Sequence, residues 1–450
     1  MGKYFGTDGV RGVANRELTP ELAYQLGRIG AYVLTKHIEP TPGKRPSVLV
    51  GRDTRLSGEM LESALIAGML SIGVDVARLG VVSTPGVAYL TQEGSASAGV
   101  IISASHNPFE DNGIKFFGAD GFKLSDEMEE EIESLLEQED QLPRPVGADI
   151  GRVENRPKAY QTYLDHLREA IQTDLCGMDI VVDCSNGAAS KLAPILLRDL
   201  GADVTALHAD PDGLNINVDS GSTHPERLQQ EVIQRQAHLG LAFDGDADRL
   251  IAVDELGEIV DGDQILYICG SFMREMDELK GDTIVTTVMS NIGFFKATEA
   301  LGIQSEKTKV GDRYVMEAMR KGGFNLGGEQ SGHIIFLDHN TTGDGMLTAL
   351  QLCRVVKEKG TTLHLLAEEM QKYPQVLVNV PVKEKNGWEK NSAIQGKIGE
   401  VEHALGTDGR VLVRPSGTEP LIRVMAEGPD ANQLDEFVNG IADVIRVELA

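Results

Sequence analysis

Cysteine is scarce in this chain of 450 residues: Cys176, Cys184, Cys269 and Cys353 stand far apart and form no C-x-x-C pair. That spacing argues against a disulfide framework and a zinc site, and a reducing cytoplasm is the compartment it fits. Positive charge is also short. Lys and Arg total 42 against 69 for Asp and Glu, a formal net charge of −27, so neither nucleic acid nor an anionic membrane is expected as a partner. Any anionic ligand must then be held by local cations or backbone amides. No apolar run approaches the roughly 18 residues of a membrane span, and no charged segment followed by an apolar one opens the chain. A soluble, unprocessed protein is expected. A G-x-S-x-G nucleophile elbow is absent as well, which removes one common hydrolase design.

What is present is length and alternation. A chain of this size exceeds what one hydrophobic core usually supports and suggests roughly three or four domains. Helical spacing over Pro20–Lys36, Gly58–Ile72 and Asp126–Glu137 alternates with short apolar runs at Ser47–Val50, Val74–Leu79 and Gly99–Ile102, the pattern of α/β layers. A strand, a polar loop and a helix closed by a Gly-led strand recur three times. Ser47–Arg55 leads to Gly73-Val74-Asp75, Asp179–Asn186 to Gly201-Ala202-Asp203, and Thr283–Asn291 to Gly302-Ile303-Gln304. Each unit runs on into a strand ending in an unusual polar loop: Ser103–Pro108, Asp244–Arg249 and Gly328–His333. From about Glu368 the texture changes to Gln375–Val382, Arg410–Arg414, a turn at Pro415–Pro420, Leu421–Ala426 and a helical Asn432–Val447, which predicts a small α+β domain. The expected domains are 1–153, 154–254, 255–367 and 368–450. Ligands of open α/β sheets bind at the carboxyl ends of strands, so the three loops are expected to converge.

Asp244, Asp246 and Asp248 alternate, and on an extended segment their carboxylates share one side as hard oxygen ligands, with Mg²⁺ the natural occupant. Three carboxylates this close repel unless something cationic sits among them. A calcium loop is the rival, since Glu255 stands twelfth counting from Asp244. The sixth residue, however, is Arg249 where that loop needs Gly, and Leu250–Val253 reads as a strand. In the first loop Ser105 precedes His106-Asn107-Pro108, where Pro108 fixes one φ and Asn107 favours a turn. Adjacent side chains on an extended segment point apart, so a hydrolytic pair of Ser105 with His106 is not expected. Taken alone, the loop suits a structural turn serine equally well.

Lys115, followed by Phe116 and Phe117, is a candidate proton shuttle if those rings desolvate it and an ordinary strand lysine if they do not. Glu329 and Ser331, set among Gly327, Gly328 and Gly332, suit paired hydrogen bonds to sugar hydroxyls, although a plain Gly-rich connection looks the same. Arg414-Pro415-Ser416-Gly417-Thr418-Glu419-Pro420 is more telling. A guanidinium, two hydroxyls and a Gly-permitted turn offer donors for a phosphate dianion, with Arg423 on the returning strand.

In this order and spacing the loops resemble the α-D-phosphohexomutase family across nearly the whole chain. The family's serine loop often opens with Thr, where Ser103 stands here. The opening Phe5-Gly6-Thr7-Asp8-Gly9-Val10-Arg11-Gly12 and the run Gly328-Glu329-Gln330-Ser331-Gly332-His333 resemble the branch acting on glucosamine phosphate. Many phosphomannomutase/phosphoglucomutase members, the nearest alternative, carry Met at the position of Gln330. The resemblance implies three related α/β/α domains with mixed sheets and a C-terminal α+β domain, TATA-binding-protein-like, around a central cleft. It implies Ser105 as phosphate-carrying serine and metal ligand beside Asp244, Asp246 and Asp248, with one Mg²⁺ per chain. Lys115 and His333 are then the expected proton-transfer groups and Arg249 the catalytic cation. Thr7 and Arg11 are expected to approach the reacting phosphate, Gly311 and Asp312 to lie near the sugar, Glu329 and Ser331 to contact it, and Arg414, Ser416, Gly417, Thr418 and Arg423 to bind the distal phosphate. The implied activity interconverts glucosamine 6-phosphate and glucosamine 1-phosphate through glucosamine 1,6-bisphosphate, upstream of UDP-N-acetylglucosamine. The implied partner is a small phosphosugar, and a homodimer is the family-level expectation. A phosphatase and a non-catalytic phosphosugar binder are the competing classes; intact donors and ligands weigh against the binder.

Overall fold

The computed structural model describes residues 3–6, 8–38, 45–94, 96–385, 387–416 and 420–449. Two compact units emerge, Met1–Val288 with Gln304–Ala367, and Met289–Ile303 with Glu368–Ala450. The first holds three sheets built on one plan. Sheet one contains β1 (Val10–Val13), β2 (Ser47–Arg52), β3 (Asp75–Val81), β4 (Ala98–Ile102), β5 (Asp111–Gly118) and β6 (Val153–Asn155), ordered β1-β5-β4-β2-β3-β6. Sheet two contains β7 (Asp179–Asp183), β8 (Asp203–Leu207), β9 (Leu239–Phe243), β10 (Leu250–Asp254) and β11 (Ile259–Val260), ordered β11-β10-β9-β7-β8. Sheet three contains β12 (Thr283–Thr287), β13 (Gln304–Thr308), β14 (Leu326–Gly328) and β15 (Ile334–Phe336), ordered β13-β12-β14-β15.

Without the outer strands β1, β6 and β11, the three sheets are superimposable in topology: β3-β2-β4-β5, β8-β7-β9-β10 and β13-β12-β14-β15. In each, the first three strands are parallel and the last is antiparallel. The expected repeat and its mixed sheets are therefore real, and each chemically loaded loop joins the final antiparallel pair. The Gly that leads the second strand has a common reason. Gly73, Gly201 and Gly302 take φ of +88°, +96° and +71°, the left-handed geometry that ends a helix, and they follow helices Ser57–Leu70, Ala189–Asp199 and Ile292–Ala300. The last of these helices belongs to the second compact unit.

Local chemistry starts the helices where the chain needs them. Thr19 Oγ1 accepts the Leu22 N–H at 3.2 Å ahead of helix Pro20–Thr35, which opens on proline. Ser83 does the same for Gly86 at 3.2 Å in helix Thr84–Glu93. Val48, Val50, Val100 and Ile102 of sheet one share a core with Leu26, Leu61 and Leu65 of the helices above it.

The second unit contains the expected α+β arrangement, together with Met289–Ile303. Strands β16 (Gln375–Pro381), β17 (Arg410–Pro415) and β18 (Leu421–Glu427) form an antiparallel sheet ordered β16-β18-β17. Val380, Ile422 and Val424 share its core with Val438 and Ile441 of helix Ala431–Glu448. A second helix, Ser392–Leu405, is missed by periodicity because Gly396 and Gly399 interrupt it; Asn391 caps it, accepting N–H groups of Ala393 and Ile394 at 3.0 and 3.2 Å. Among the described residues no helix is long and apolar enough to cross a membrane.

Candidate active site

Between β9 and β10 the chain turns tightly: Ala247 takes φ +57° and donates its N–H to Asp244 O at 3.1 Å. Extended alternation is therefore not what gathers the three aspartates. The turn brings one carboxylate oxygen from each of Asp244, Asp246 and Asp248 within 4.8 Å of the others, and all three residues are buried. Three carbonyls of the turn each accept an N–H from the start of a helix: Gly245 O from Ala188 at 2.8 Å, Asp246 O from Thr84 at 3.0 Å and Ala247 O from Gly345 at 3.0 Å. The helices concerned, Ala189–Asp199, Thr84–Glu93 and Gly345–Lys359, give the acidic turn three partially positive ends. Thr84 Oγ1 also donates to Asp246 Oδ2 at 2.6 Å.

Burial, then the neighbouring Asp248 and Asp246, pushes the Asp244 carboxyl well above the usual range. Asp246 Oδ1 and Asp248 Oδ1 are buried without a hydrogen-bond partner. Crowded, buried oxygens with unmet acceptor capacity, and no nitrogen or sulfur donor in the set, fit a hard divalent cation.

Ser105 adopts φ +53°, and its Oγ donates to Asp244 Oδ2 at 2.5 Å. The same Oγ lies 3.3 Å from His106 Nδ1. The two side chains do not point apart as expected, because that expectation rested on an extended backbone and Ser105 is left-handed. Burial, then Arg249 and Arg11, lowers the His106 pKa to about 4, so the ring is uncharged at neutral pH.

Lys115 lies on β5, where Ile114 and Phe116 face the hydrophobic core and Lys115 takes the opposite face. Its Nζ is 3.1 Å from Asp246 Oδ2, 3.0 Å from Asp8 Oδ2 and 3.8 Å from Asp248 Oδ2. Burial opposes its charge, yet Asp246, Asp8 and Asp248 outweigh it and the pKa is raised. The expected desolvation is present but does not produce a neutral amine. Pairing of β1 with β5 sets Arg11 opposite Gly113, which brings Asp8 and Arg11, an ion pair, beside Lys115. Lys123 Nζ bonds Asp8 Oδ1 at 2.5 Å and reaches Asp312 as well.

His333 Nδ1 stands 3.5 Å from Asp248 Oδ2 and its Nε2 3.6 Å from Asp312 Oδ2. Burial opposes its charge, Asp248 and then Asp312 outweigh burial, and the net shift is upward; in the neutral ring the Gly343 N–H, aimed at Nε2 from 3.2 Å, favours the proton on Nδ1. Arg249 Nε is 3.8 Å from Asp248 Oδ1.

The third loop is tied to the metal turn through its backbone. Leu250, the first residue of β10, donates its N–H to Gly332 O at 3.0 Å, and Gly262 donates to Gln330 O at 3.0 Å. Glu329 Oε1 accepts the Gly311 N–H at 3.1 Å, while Ser331 is exposed. Ser105, the three aspartates, Lys115, Arg249, His333, Asp312 and Arg11 are thus linked by direct contacts and shared partners, with Glu329 and Gly311 on the adjoining loop. In the second unit, Arg414 and Arg423 stand directly opposite on β17 and β18. Burial, then Arg423, lowers the Arg414 pKa; like charges so paired favour an anionic ligand. Ser416 donates its N–H to Leu421 O at 2.9 Å, and Lys385 Nζ donates to Ser416 O at 2.9 Å. Thr7, Gly417 and Thr418 lie outside the described residues.

Family models match the chain from end to end: phosphoglucomutase/phosphomannomutase alpha/beta/alpha domain I at 2–143, domain II at 161–257, domain III at 261–373 and the C-terminal domain at 377–444. The chain belongs to this phosphohexomutase family. It is 63% identical over 449 residues to a phosphoglucosamine mutase of Halalkalibacterium halodurans, covering 100% of this chain and 99% of that one. Identity to the phosphoglucosamine mutase of Bacillus subtilis is 60% over 450 residues, with the same coverage of 100% and 99%. Among solved structures, a phosphoglucomutase/phosphomannomutase family protein of Burkholderia thailandensis superimposes with a TM-score of 0.80 at 24% identity, covering 98% of this chain and 97% of that one. The Aspergillus fumigatus N-acetylphosphoglucosamine mutase in complex with GlcNAc-6P and magnesium gives 0.71 at 18% identity, covering 99% and 96%.

Phosphohexomutase motifs point to most of these residues but miss several contacts. Asp8 stands inside the opening motif Phe5–Gly12, but its pairing with Lys115 is made only by the fold. Lys123, Thr84, Asp53 and Arg55 carry no local signal, since only tertiary packing brings them to the site.

Proposed function

We propose that the chain interconverts glucosamine 6-phosphate and glucosamine 1-phosphate, with Ser105 carrying the phosphoryl group and glucosamine 1,6-bisphosphate as the intermediate. The observation that carries this reading is the 2.5 Å approach of Ser105 Oγ to Asp244 within the buried aspartate cluster. A hydroxyl held against a cation site suits phosphoryl transfer better than turn-making. The near full-length relatives named phosphoglucosamine mutase support the amino sugar.

Asp244, Asp246 and Asp248, with a phosphate on Ser105, would hold Mg²⁺, which when bound neutralises charge on the transferring group. In one direction the sugar O1 bonds phosphorus as the P–Oγ bond to Ser105 breaks, and the proton of the sugar hydroxyl ends on the freed Ser105 Oγ. The 6-phosphate then returns to Ser105 in the mirrored step. Arg249 and Arg11 supply fixed positive charge, and Lys115 and then His333 are the proton-moving groups. Thr7 approaches the reacting phosphate, Gly311 and Asp312 lie near the sugar, Glu329 and Ser331 hold sugar hydroxyls, and Arg414, Ser416, Gly417, Thr418 and Arg423 hold the phosphate that is not reacting. The reading extends to domains at 1–153, 154–254, 255–367 and 368–450, a cytoplasmic enzyme and a homodimer.

Turnover measured side by side on glucosamine, glucose and mannose 6-phosphates tests the assignment, with fastest use of the glucosamine ester expected. Faster use of glucose or mannose phosphate overturns the substrate, and near-normal turnover by Ser105→Ala overturns the carrier role.

A further inference from the structure

Ser105 sits at φ +53°, a left-handed geometry that a serine adopts only when its surroundings impose it. Two buried charges supply much of that constraint. Arg55 and Asp53 are both fully buried and paired, Nε to Oδ2, at 2.9 Å. Both remaining guanidinium nitrogens reach the serine loop: Arg55 Nη2 bonds Ser105 O at 2.8 Å and Asn107 O at 3.0 Å, and Nη1 bonds Pro108 O at 2.8 Å. Asp53 Oδ2 in turn accepts the Ser103 hydroxyl at 2.6 Å, and Ser103 Oγ accepts the Ser105 N–H at 3.0 Å. One chain of bonds therefore grips Ser105 by its amide and by its carbonyl. From the second repeat, Asn217 Nδ2 bonds the same two carbonyls, Ser105 O at 2.8 Å and Asn107 O at 3.0 Å.

A buried ion pair that served stability alone has no need to spend its donors on one loop. We infer that Asp53, Arg55 and Ser103, joined by Asn217, are positioning residues that fix the backbone of Ser105 and thereby aim its Oγ at the aspartate cluster. The inference rests on the proposed carrier role of Ser105. A phosphate dianion on that serine is pulled by Arg249, Arg11 and Lys115, and the grip keeps its oxygen on line as charge arrives and leaves. The hydroxyl at 103 is explained by the same chain, since it must both donate to Asp53 and accept from Ser105; threonine meets that demand and alanine does not.

The test compares Ser103→Ala, Ser103→Thr and Asn217→Gly with the parent enzyme. Asn217 has φ +60°, so glycine removes the amide without straining the backbone. Uptake of a phosphoryl group from glucose 1,6-bisphosphate onto Ser105 is followed by intact mass in a single turnover, beside steady-state kinetics and Tm. Ser103→Ala and Asn217→Gly are expected to slow phosphoryl uptake and kcat together by about tenfold or more, with KM within about twofold. Ser103→Thr retains more of the parent rate than Ser103→Ala. Parent-like uptake in either Ser103→Ala or Asn217→Gly overturns the inference, as does a loss that appears only in KM or only in Tm. Should Ser103→Ala fail to fold, Asn217→Gly decides alone. Failure of the underlying reading looks different: the parent itself then takes up no phosphoryl group, or takes it up undiminished in Ser105→Ala.

Discussion

Gly245 stands between two of the clustered aspartates, and a methyl group added there would lie 2.5 Å from Ser105 O, 2.9 Å from Asn217 Nδ2 and 2.9 Å from Ile216 Cδ1. Ordinary contact begins at 3.4 Å, so one side must retreat by roughly 0.9 Å. Neither side is free to. Ser105 O is held at 2.8 Å by both Arg55 and Asn217, and Gly245 O is held at 2.8 Å by Ala188. Gly245 does not sit at positive φ, so contact alone is at issue. Overpacking of this kind costs about 1–3 kcal/mol of stability, a loss that a 450-residue protein survives folded. Misplacing the serine by most of an ångström costs far more in rate, about a hundredfold, or about 2.7 kcal/mol in the barrier. Gly245→Ala is therefore expected to melt a few degrees below the parent yet lose about two orders of magnitude in kcat, measured as initial rates of glucosamine 1-phosphate formation. A kcat within about threefold of the parent, with the variant folded, would falsify the claim that the serine loop and metal turn are rigidly seated on each other.

Chelation of divalent cations should stop turnover and lower Tm, since ion bound at about a hundredfold excess over Kd stabilises by about 2.7 kcal/mol; Asp246→Asn should lose most of that metal-dependent rise, and an identical rise in both proteins counts against the cluster as the site. Gly396→Ala and Gly399→Ala meet nothing within 4 Å and lie at no positive φ, so each should add up to about 1 kcal/mol by helix propensity and raise the melting transition of the C-terminal domain; a lowered transition contradicts this. The Asp183 hydrogen bond raises the His208 pKa despite burial, so the charged ring stabilises the fold fully below its unfolded pKa of about 6.5 and loses that contribution as pH rises through the folded value. The Tm gap between the parent and His208→Asn, which suits the backbone φ of +44°, should shrink from about pH 6 to about pH 8.5; a constant gap refutes the linkage.

Much of this was legible in the sequence for a simple reason: repeated local patterns report repeated topology. Gly73, Gly201 and Gly302 mark the same helix end in each repeat, and the loops that follow hold Ser105, Asp244 and Glu329. What pattern alone reads poorly is conformation within those loops. Alternating aspartates suggest an extended ladder, whereas Ala247 in the left-handed region folds them into a turn. Adjacent Ser105 and His106 suggest opposite faces, whereas the φ of Ser105 returns its Oγ to the ring. Lys115 between apolar residues suggests a neutral amine; its fate is decided by Asp8, more than a hundred residues away in the chain, and by Asp246 and Asp248 of another repeat. Arg55 and Asn217 act through backbone carbonyls, which leave no trace in residue type.

The charge balance explains how so acidic a chain handles a phosphorylated sugar. Around Ser105 the first unit sets Asp8, Asp244, Asp246, Asp248 and Asp312 against Lys115, Lys123, Arg11 and Arg249. Five carboxyl groups face these four fixed cations, and because burial and its neighbours push Asp244 toward its neutral form, the two signs come close to balance before a phosphate arrives. The three helix N-termini on the aspartate turn add partial positive charge, and a cation held by the cluster would add more. Lys115 and Lys123 cannot take over that role, because each is already committed to two or more carboxylates. A bound ion would thus strengthen attraction for the substrate. Affinity for the phosphosugar and affinity for the cation would then raise each other by the same factor, as linkage requires of two ligands that meet in one field.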